Sequence, residues 1–166
     1  MQKPELETLT RVAEMTAAVA VVVSVIYLAK QISDNTKLLR SQSHYYALSL
    51  GQRPLELMVE NESLADAVIQ CNESPDAVAA AIWERCLNYY LMQIDAWEYF
   101  YYANIDESIP RNTWVGADSY FKTLVKTKRG YERFWHELQQ AYDEPFRSYA
   151  AQQIPEWSPA GANQRQ

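Results

Sequence analysis

The longest apolar run in the chain is Met15–Ala29, MTAAVAVVVSVIYLA, fifteen residues without a charge. Extended back to Val12 it makes eighteen residues, or about 27 Å of helix at 1.5 Å per residue. A hydrocarbon core of about 30 Å is crossed by about 17–25 residues. The pattern therefore predicts a transmembrane helix over residues 12–29, with Val12, Val19, Val22, Val25, Ile26, Tyr27 and Leu28 as the membrane anchor. Glu14 falls at one interface and Tyr27 at the other, where aromatic belts form. Two other readings of such a run are a cleaved signal peptide and a helix buried inside a soluble oligomer. Glu5, Glu7 and Glu14, and Tyr27 where a small residue is needed for cleavage, argue against the signal peptide.

Beyond the run, Leu28, Ile32, Asn35, Leu39, Gln42, Tyr46 and Leu50 recur mostly three and four apart, which predicts one helix continuing to about Leu50. The stripe is heptad-like, and Asn35 and Gln42 are the kind of polar interruptions that set register in a coiled coil. The plainer reading packs this helix on its own domain with those two near the surface. Gly51 and Pro54 are expected to kink or end it. Asn61 is predicted to cap a short helix through Leu64, Val68 and Ile69. Ser74-Pro75 reads as the N-cap and first residue of a long helix reaching about Ala103. Its wide apolar arc, from Val78 through Trp83, Ile94 and Trp97 to Phe100, marks it as the central helix. Pro110 opens a further helix, Gly130 separates it from the next, and Asp143 is placed to cap a last short one. The stretch from Pro155 reads as a loose tail.

Composition supports an all-α fold. Only four of 166 residues are Gly, which disfavours tight-turned sheets and phosphate-cradling loops. The net charge of −6, with scattered Lys and Arg, excludes nucleic acid as a natural partner. The densest basic group, Lys122, Lys126, Lys128 and Arg129, suits a solvated helix end. Cys71 and Cys86 lack a CxxC spacing or a neighbouring His, so both are expected to be packed and reduced rather than bridged. Reduced thiols suit a cytoplasmic domain.

Candidate chemistry is sparse. Glu84, Asn88, Asp95 and Glu98 share a stripe of the central helix, but a carboxylate metal site needs His partners in Glu-x-x-His arrangements. The two histidines, His44 and His136, sit in no such motif, and Glu132 with His136 lacks a companion. A solvated face is the expectation. No nucleophile motif occurs. The run WEYFYY at 97–102 is the most unusual local feature. Core packing at a helix end explains it; a partner surface or an interhelical ligand pocket are the alternatives.

Residues 27–40, YLAKQISDNTKLLR, have a close counterpart in a group of small uncharacterised bacterial proteins, with one N-terminal membrane helix, a YLAxQIxxNTxxLR-like segment and a helical domain. The chain resembles that group further at NESLADAV from Asn61, at Trp97-Glu98-Tyr99, at Ile109-Pro110 to Trp114, and over Gly130 to Tyr149 with Arg133-Phe134-Trp135 and Pro145-Phe146. The resemblance implies a membrane-anchored helical domain, and it carries over no catalytic residues.

The expected organisation is a short tail over 1–11, the membrane helix over 12–29, a helical domain over 30–154 with about five helices besides the long first one, and a tail over 155–166. The expected function is that of a non-enzymatic interaction protein, a homo-oligomer or an accessory subunit of a bacterial membrane complex. Its partners would be membrane lipid and protein, with no cofactor or metal. The interaction surface is expected at Ile32, Asn35, Leu39, Tyr46, Trp97, Tyr99, Tyr101 and Tyr102. Lys30, Lys37, Arg40 and Arg53 follow the anchor, while Lys3 and Arg11 precede it among three Glu. That excess places the domain on the cytoplasmic side of the inner membrane as a single-pass protein. The alternative is a small-molecule sensor or enzyme, with Glu84, Asn88 or Asp95 turned into a pocket inside the helical domain. A weaker third idea is a membrane-active effector.

Overall fold

The structure, a computed structural model, describes residues 3–157, with side chains described from residue 8. No strand occurs among the described residues. The elements are α1 (Lys3–Glu60), α2 (Glu62–Glu73), α3 (Ala80–Ile105), α4 (Arg111–Thr127), α5 (Arg129–Leu138), a single 3-10 turn (Gln139–Ala141) and α6 (Phe146–Ala151). The expected tail over 1–11 is instead the first part of α1 from Lys3 onward. Beyond residue 157 the expected C-terminal tail lies outside the described residues.

The chain divides into two compact units, Met1–Ser41 and Gln42–Gln166. The expected division was at Ala29. Its displacement has a plain cause: residues 30–41 are all exposed and contribute nothing to the core.

Within the second unit, α1 packs through Ser43, His44, Ala47, Leu50, Gly51, Pro54 and Met58, a face of helical spacing. This face is offset from the expected stripe, which leaves Gln42 and Tyr46 exposed. Gly51 and Pro54 do not end the helix. Gly51 lets α1 approach α3 closely, since a Cβ there would sit 3.3 Å from the Phe100 ring. Pro54 stays inside the helix although it removes one backbone bond. It is among the most fully buried side chains, so packing offsets that loss.

Asn61 breaks the helical run and caps α2, its side-chain oxygen accepting from the Leu64 N–H at 3.0 Å as its sequence position implied. Ser74 and Pro75 behave differently from expectation. Ser74 ends α2, its N–H donating to the Gln70 carbonyl, and α3 begins only at Ala80. The intervening turn is held from outside, because Arg133 donates to the Pro75 carbonyl. Gly130 likewise lies inside α5 rather than between helices, and Pro145, not Asp143, precedes α6.

Helix α3 is central as its wide apolar arc predicts, packing on α2, α4, α5 and α6. Its buried residues include Trp83, Cys86, Tyr90, Gln93, Ile94, Trp97 and Phe100. The core is aromatic to an unusual degree: Tyr90 lies 4.5 Å from Tyr131 and 6.1 Å from Phe134 between ring centroids, and Trp97 stacks on Phe121 at 5.8 Å. Such pairs add about 1 kcal/mol beyond their burial. The expectation of reduced cysteines is overturned. Cys71 of α2 and Cys86 of α3 form a disulfide with Cα atoms 6.6 Å apart, both residues fully buried. Burial of two apolar-facing thiols was legible in sequence, but their juxtaposition depends on how α2 folds back on α3.

Candidate functional site

The aromatic run at 97–102 resolves into core packing. Trp97 is fully buried and offers no surface, which corrects its place among the expected interaction residues. Its indole N–H donates to Asp118 at 3.2 Å. Asp118 also accepts from the Tyr149 hydroxyl and pairs with Lys122 at 2.7 Å. Burial alone would lower Lys122, but its hydrogen bonds to Asp118 and Tyr149 outweigh it and raise the ammonium. Tyr149 is raised by burial and by the adjacent Asp118 carboxylate. One carboxylate thus ties α3, α4 and α6 together.

Phe100 is buried as well, and Tyr99, Tyr101 and Tyr102 are half-buried. Tyr99 shares a hydrogen bond with Ser43 at 3.0 Å and meets Tyr46 edge-on at 5.2 Å. Tyr101 lies in a cluster with Tyr102, Trp114, Phe146 and Tyr149. Tyr102 reaches the Glu144 carbonyl. These rings seal the domain's own helices, so little of each remains for a partner. Ile32, Asn35 and Leu39 are exposed on α1, as is Tyr46.

The acidic stripe also sorts itself. Glu84 and Asn88 face outward, the Asn88 amide donating to the Glu84 carbonyl. Asp95 accepts from the Tyr142 hydroxyl at 2.9 Å and has Glu98 as a charged neighbour. Desolvation raises both carboxyls; Tyr142's hydrogen bond opposes it at Asp95, and the charges of Asp95 and Asp143 reinforce it at Glu98. None of Glu84, Asn88 and Asp95 lines either of the two clefts described below. Among the described residues no three His, Cys, Asp or Glu side chains are placed to hold a metal ion.

The first cleft, about 330 Å³, lies between α5 and the segment after α6. Glu132, Trp135, His136 and Gln139 line one side, and Ile154, Pro155, Glu156 and Trp157 the other. Trp135 is held by Tyr142, stacked at 5.5 Å, and His136 faces the Trp157 ring at 5.1 Å. The indole N–H groups of both Trp135 and Trp157 are buried without a hydrogen-bond partner. Desolvation raises Glu132, opposed by the charge of Arg129. Across the cleft from Glu132 and His136 lie Glu156 and Trp157, which are distant from them in sequence. The second cleft, about 360 Å³, runs along α4 beside Trp114, Asp118, Lys122 and Lys126 and is the more open of the two.

The Val12–Ala29 stretch of α1 stands apart from all of this. Val12, Val19, Val22, Val25, Ile26, Tyr27 and Leu28 are each 55–64% exposed. An 18-residue window here reaches a mean hydropathy of 2.1, and none of it is buried in the fold. The helix is long and apolar enough to cross a membrane. Nothing matches this chain among protein-family models, curated proteins or solved structures.

Proposed function

We propose that the chain is a membrane-anchored helical interaction protein, acting as a homo-oligomer or as an accessory subunit of a bacterial membrane complex. The observation that carries this reading is the apolar Val12–Ala29 stretch with no buried residue. A contiguous apolar surface of that size is not stable against water and calls for lipid or another chain. The resemblance to small bacterial membrane proteins supports the bacterial setting, and the reading assigns no catalysis. Alkaline extraction of membranes, followed by sizing in mild detergent, tests it. The reading expects the chain to stay in the membrane pellet and to migrate as an oligomer or with a partner. A soluble monomer, or no change on deleting residues 12–29, refutes it.

The basic residues after the anchor favour a cytoplasmic domain in the inner membrane. The Cys71–Cys86 disulfide favours the opposite side, since such bonds persist in oxidising compartments. Thiol alkylation of cells quenched in acid separates the two: unreactive cysteines that label after reduction place the domain outside the cytoplasm. A second reading, a small-molecule sensor, is favoured by the cleft at Trp135 and Trp157.

A further inference from the structure

We propose that residues 25–39 of α1 pair in parallel with the same stretch of a second copy of this chain, through a seam of Val25, Leu28, Ile32, Asn35 and Leu39. The inference deepens the proposed function and rests on it, because a shared membrane gives the two helices a common direction. The five residues are spaced three and four apart, as the a and d positions of a heptad are. Val25 and Ile32 at a, with Leu28 at d, are the arrangement that favours two parallel strands. All five are exposed, Ile32 and Leu39 at 66% and 64%. Most helical stability in proteins comes from packing an apolar face, and this face has no partner in the fold.

The distribution of charge says what covers it. Lys30, Asp34, Lys37 and Arg40 are the charged residues of the stretch and its immediate continuation, and all fall at b, c and f, away from the seam. The flanking e and g positions are Ala29, Gln31, Thr36 and Leu38. Charges at e and g are what select a different partner or repel an identical one, and here there are none. Gln31 and Thr36 are instead bonded within their own helix, to the Tyr27 hydroxyl at 3.0 Å and the Ile32 carbonyl at 2.8 Å. Asn35 is the polar residue of the seam. Its amide both donates and accepts, so it is complementary to the same residue of a second copy across a two-fold axis. Lipid does not reach the far end of the seam. Leu39 lies ten residues beyond Ala29, about 15 Å of helix, whereas the headgroup layer on each side is about 5–7 Å thick. In the second unit, α1 packs through Ser43, Ala47 and Leu50, while Gln42 and Tyr46, next in the a and d phase, are exposed. A seam this short suffices because anchoring in one membrane raises the effective concentration of the two strands.

Disulfide trapping of the full-length chain in bacterial membranes tests the pairing. Single cysteines replace Ile32, Asp34, Lys37 or Leu39, all exposed, whereas Cys71 and Cys86 are buried and bridged to each other. Membranes are oxidised with copper phenanthroline and run on non-reducing gels, with the parent chain as the blank. Ile32→Cys and Leu39→Cys should appear as linked dimers. Asp34→Cys and Lys37→Cys, on the far side of the helix, should stay monomeric. Adding Asn35→Asp to Leu39→Cys sets two carboxylates face to face and should lose most of the dimer, while adding Lys37→Asp should lose none. Alkaline extraction of the same samples reports on the anchor separately. Seam dimers from a chain that washes out support the pairing and count against the anchor. A retained chain without seam dimers overturns the pairing and leaves the anchor standing. Linkage to an unrelated chain at positions 32 and 39, or equal linkage at all four positions, also overturns the proposal.

Discussion

Two glycines inside helices of the same fold should respond in opposite directions to the same substitution. At Gly130 in α5, an added Cβ would lie 2.0 Å from the Tyr90 hydroxyl oxygen, 2.5 Å from Cζ and 2.9 Å from Cε2. Ordinary contact begins near 3.4 Å, so the ring would have to retreat by more than an ångström. It has nowhere to go. Tyr90 is fully buried, ringed by Trp83, Tyr89, Tyr131 and Phe134, and its hydroxyl donates to Asn72 at 2.9 Å. Overpacking of this kind costs about 1–3 kcal/mol, and loss of the Asn72 bond adds about 1 kcal/mol. The gain in helix propensity returns at most about 1 kcal/mol. Gly130→Ala is therefore expected to destabilise by about 3 kcal/mol, or about 10 °C in Tm. At Gly116 in α4, nothing lies within 4 Å of the added Cβ. Gly116→Ala is expected to stabilise by about 0.5–1 kcal/mol. Thermal and urea unfolding followed by circular dichroism measures both. Tyr90→Phe added to Gly130→Ala should recover part of the loss by removing the closest atom. A Gly130→Ala protein as stable as the parent would refute the packing argument at its root.

Asp118→Ala should destabilise by about 3 kcal/mol, since it strands the buried Trp97 N–H and removes the acceptor for Tyr149. Asp118→Asn, which keeps an acceptor, should cost about half as much in urea unfolding, and equal losses would show that charge rather than the hydrogen bond matters. Asn61→Ala should cost about 1 kcal/mol through the α2 cap, an effect that Asn61→Ser should restore. Asp95 and Glu98 titrate above the ordinary carboxylate value, for desolvation first and neighbouring charge second. A carboxyl whose folded pKa is raised binds its proton more tightly in the native state, so its ionised form weakens the fold above that pKa. The loss disappears as pH falls below the unfolded value. Glu98→Gln should then raise stability at neutral pH by about 0.5 kcal/mol and flatten the gain on acidification; parallel pH–stability curves for parent and variant would count against this.

Much of the helical framework was legible from local pattern. The apolar run that marks α1, the Asn61 cap and the wide apolar arc of α3 are short-range signals, written in residues that lie within a few turns of one another. The errors came where a local signal competed with packing. Pro54 reads as a stop, yet its burial keeps α1 intact to Glu60. Ser74-Pro75 reads as a start, yet Arg133 of α5 holds that segment as a turn. The WEYFYY run reads as core packing at a helix end, as it is, but Trp97, expected on the interaction surface, is sequestered by Asp118 and Phe121.

The sequence by itself determined that this protein is all-helical and that it carries an apolar helix long enough to cross a membrane. Both follow from periodicity and composition, which act over a single element. Only the tertiary structure decided that Cys71 meets Cys86, that Asp118 gathers Trp97, Lys122 and Tyr149, and that Glu132 and His136 face Glu156 and Trp157. Those groups are distant in sequence. Which of them share a site depends on how the helices cross, and that is set by the whole core's packing rather than by any one segment.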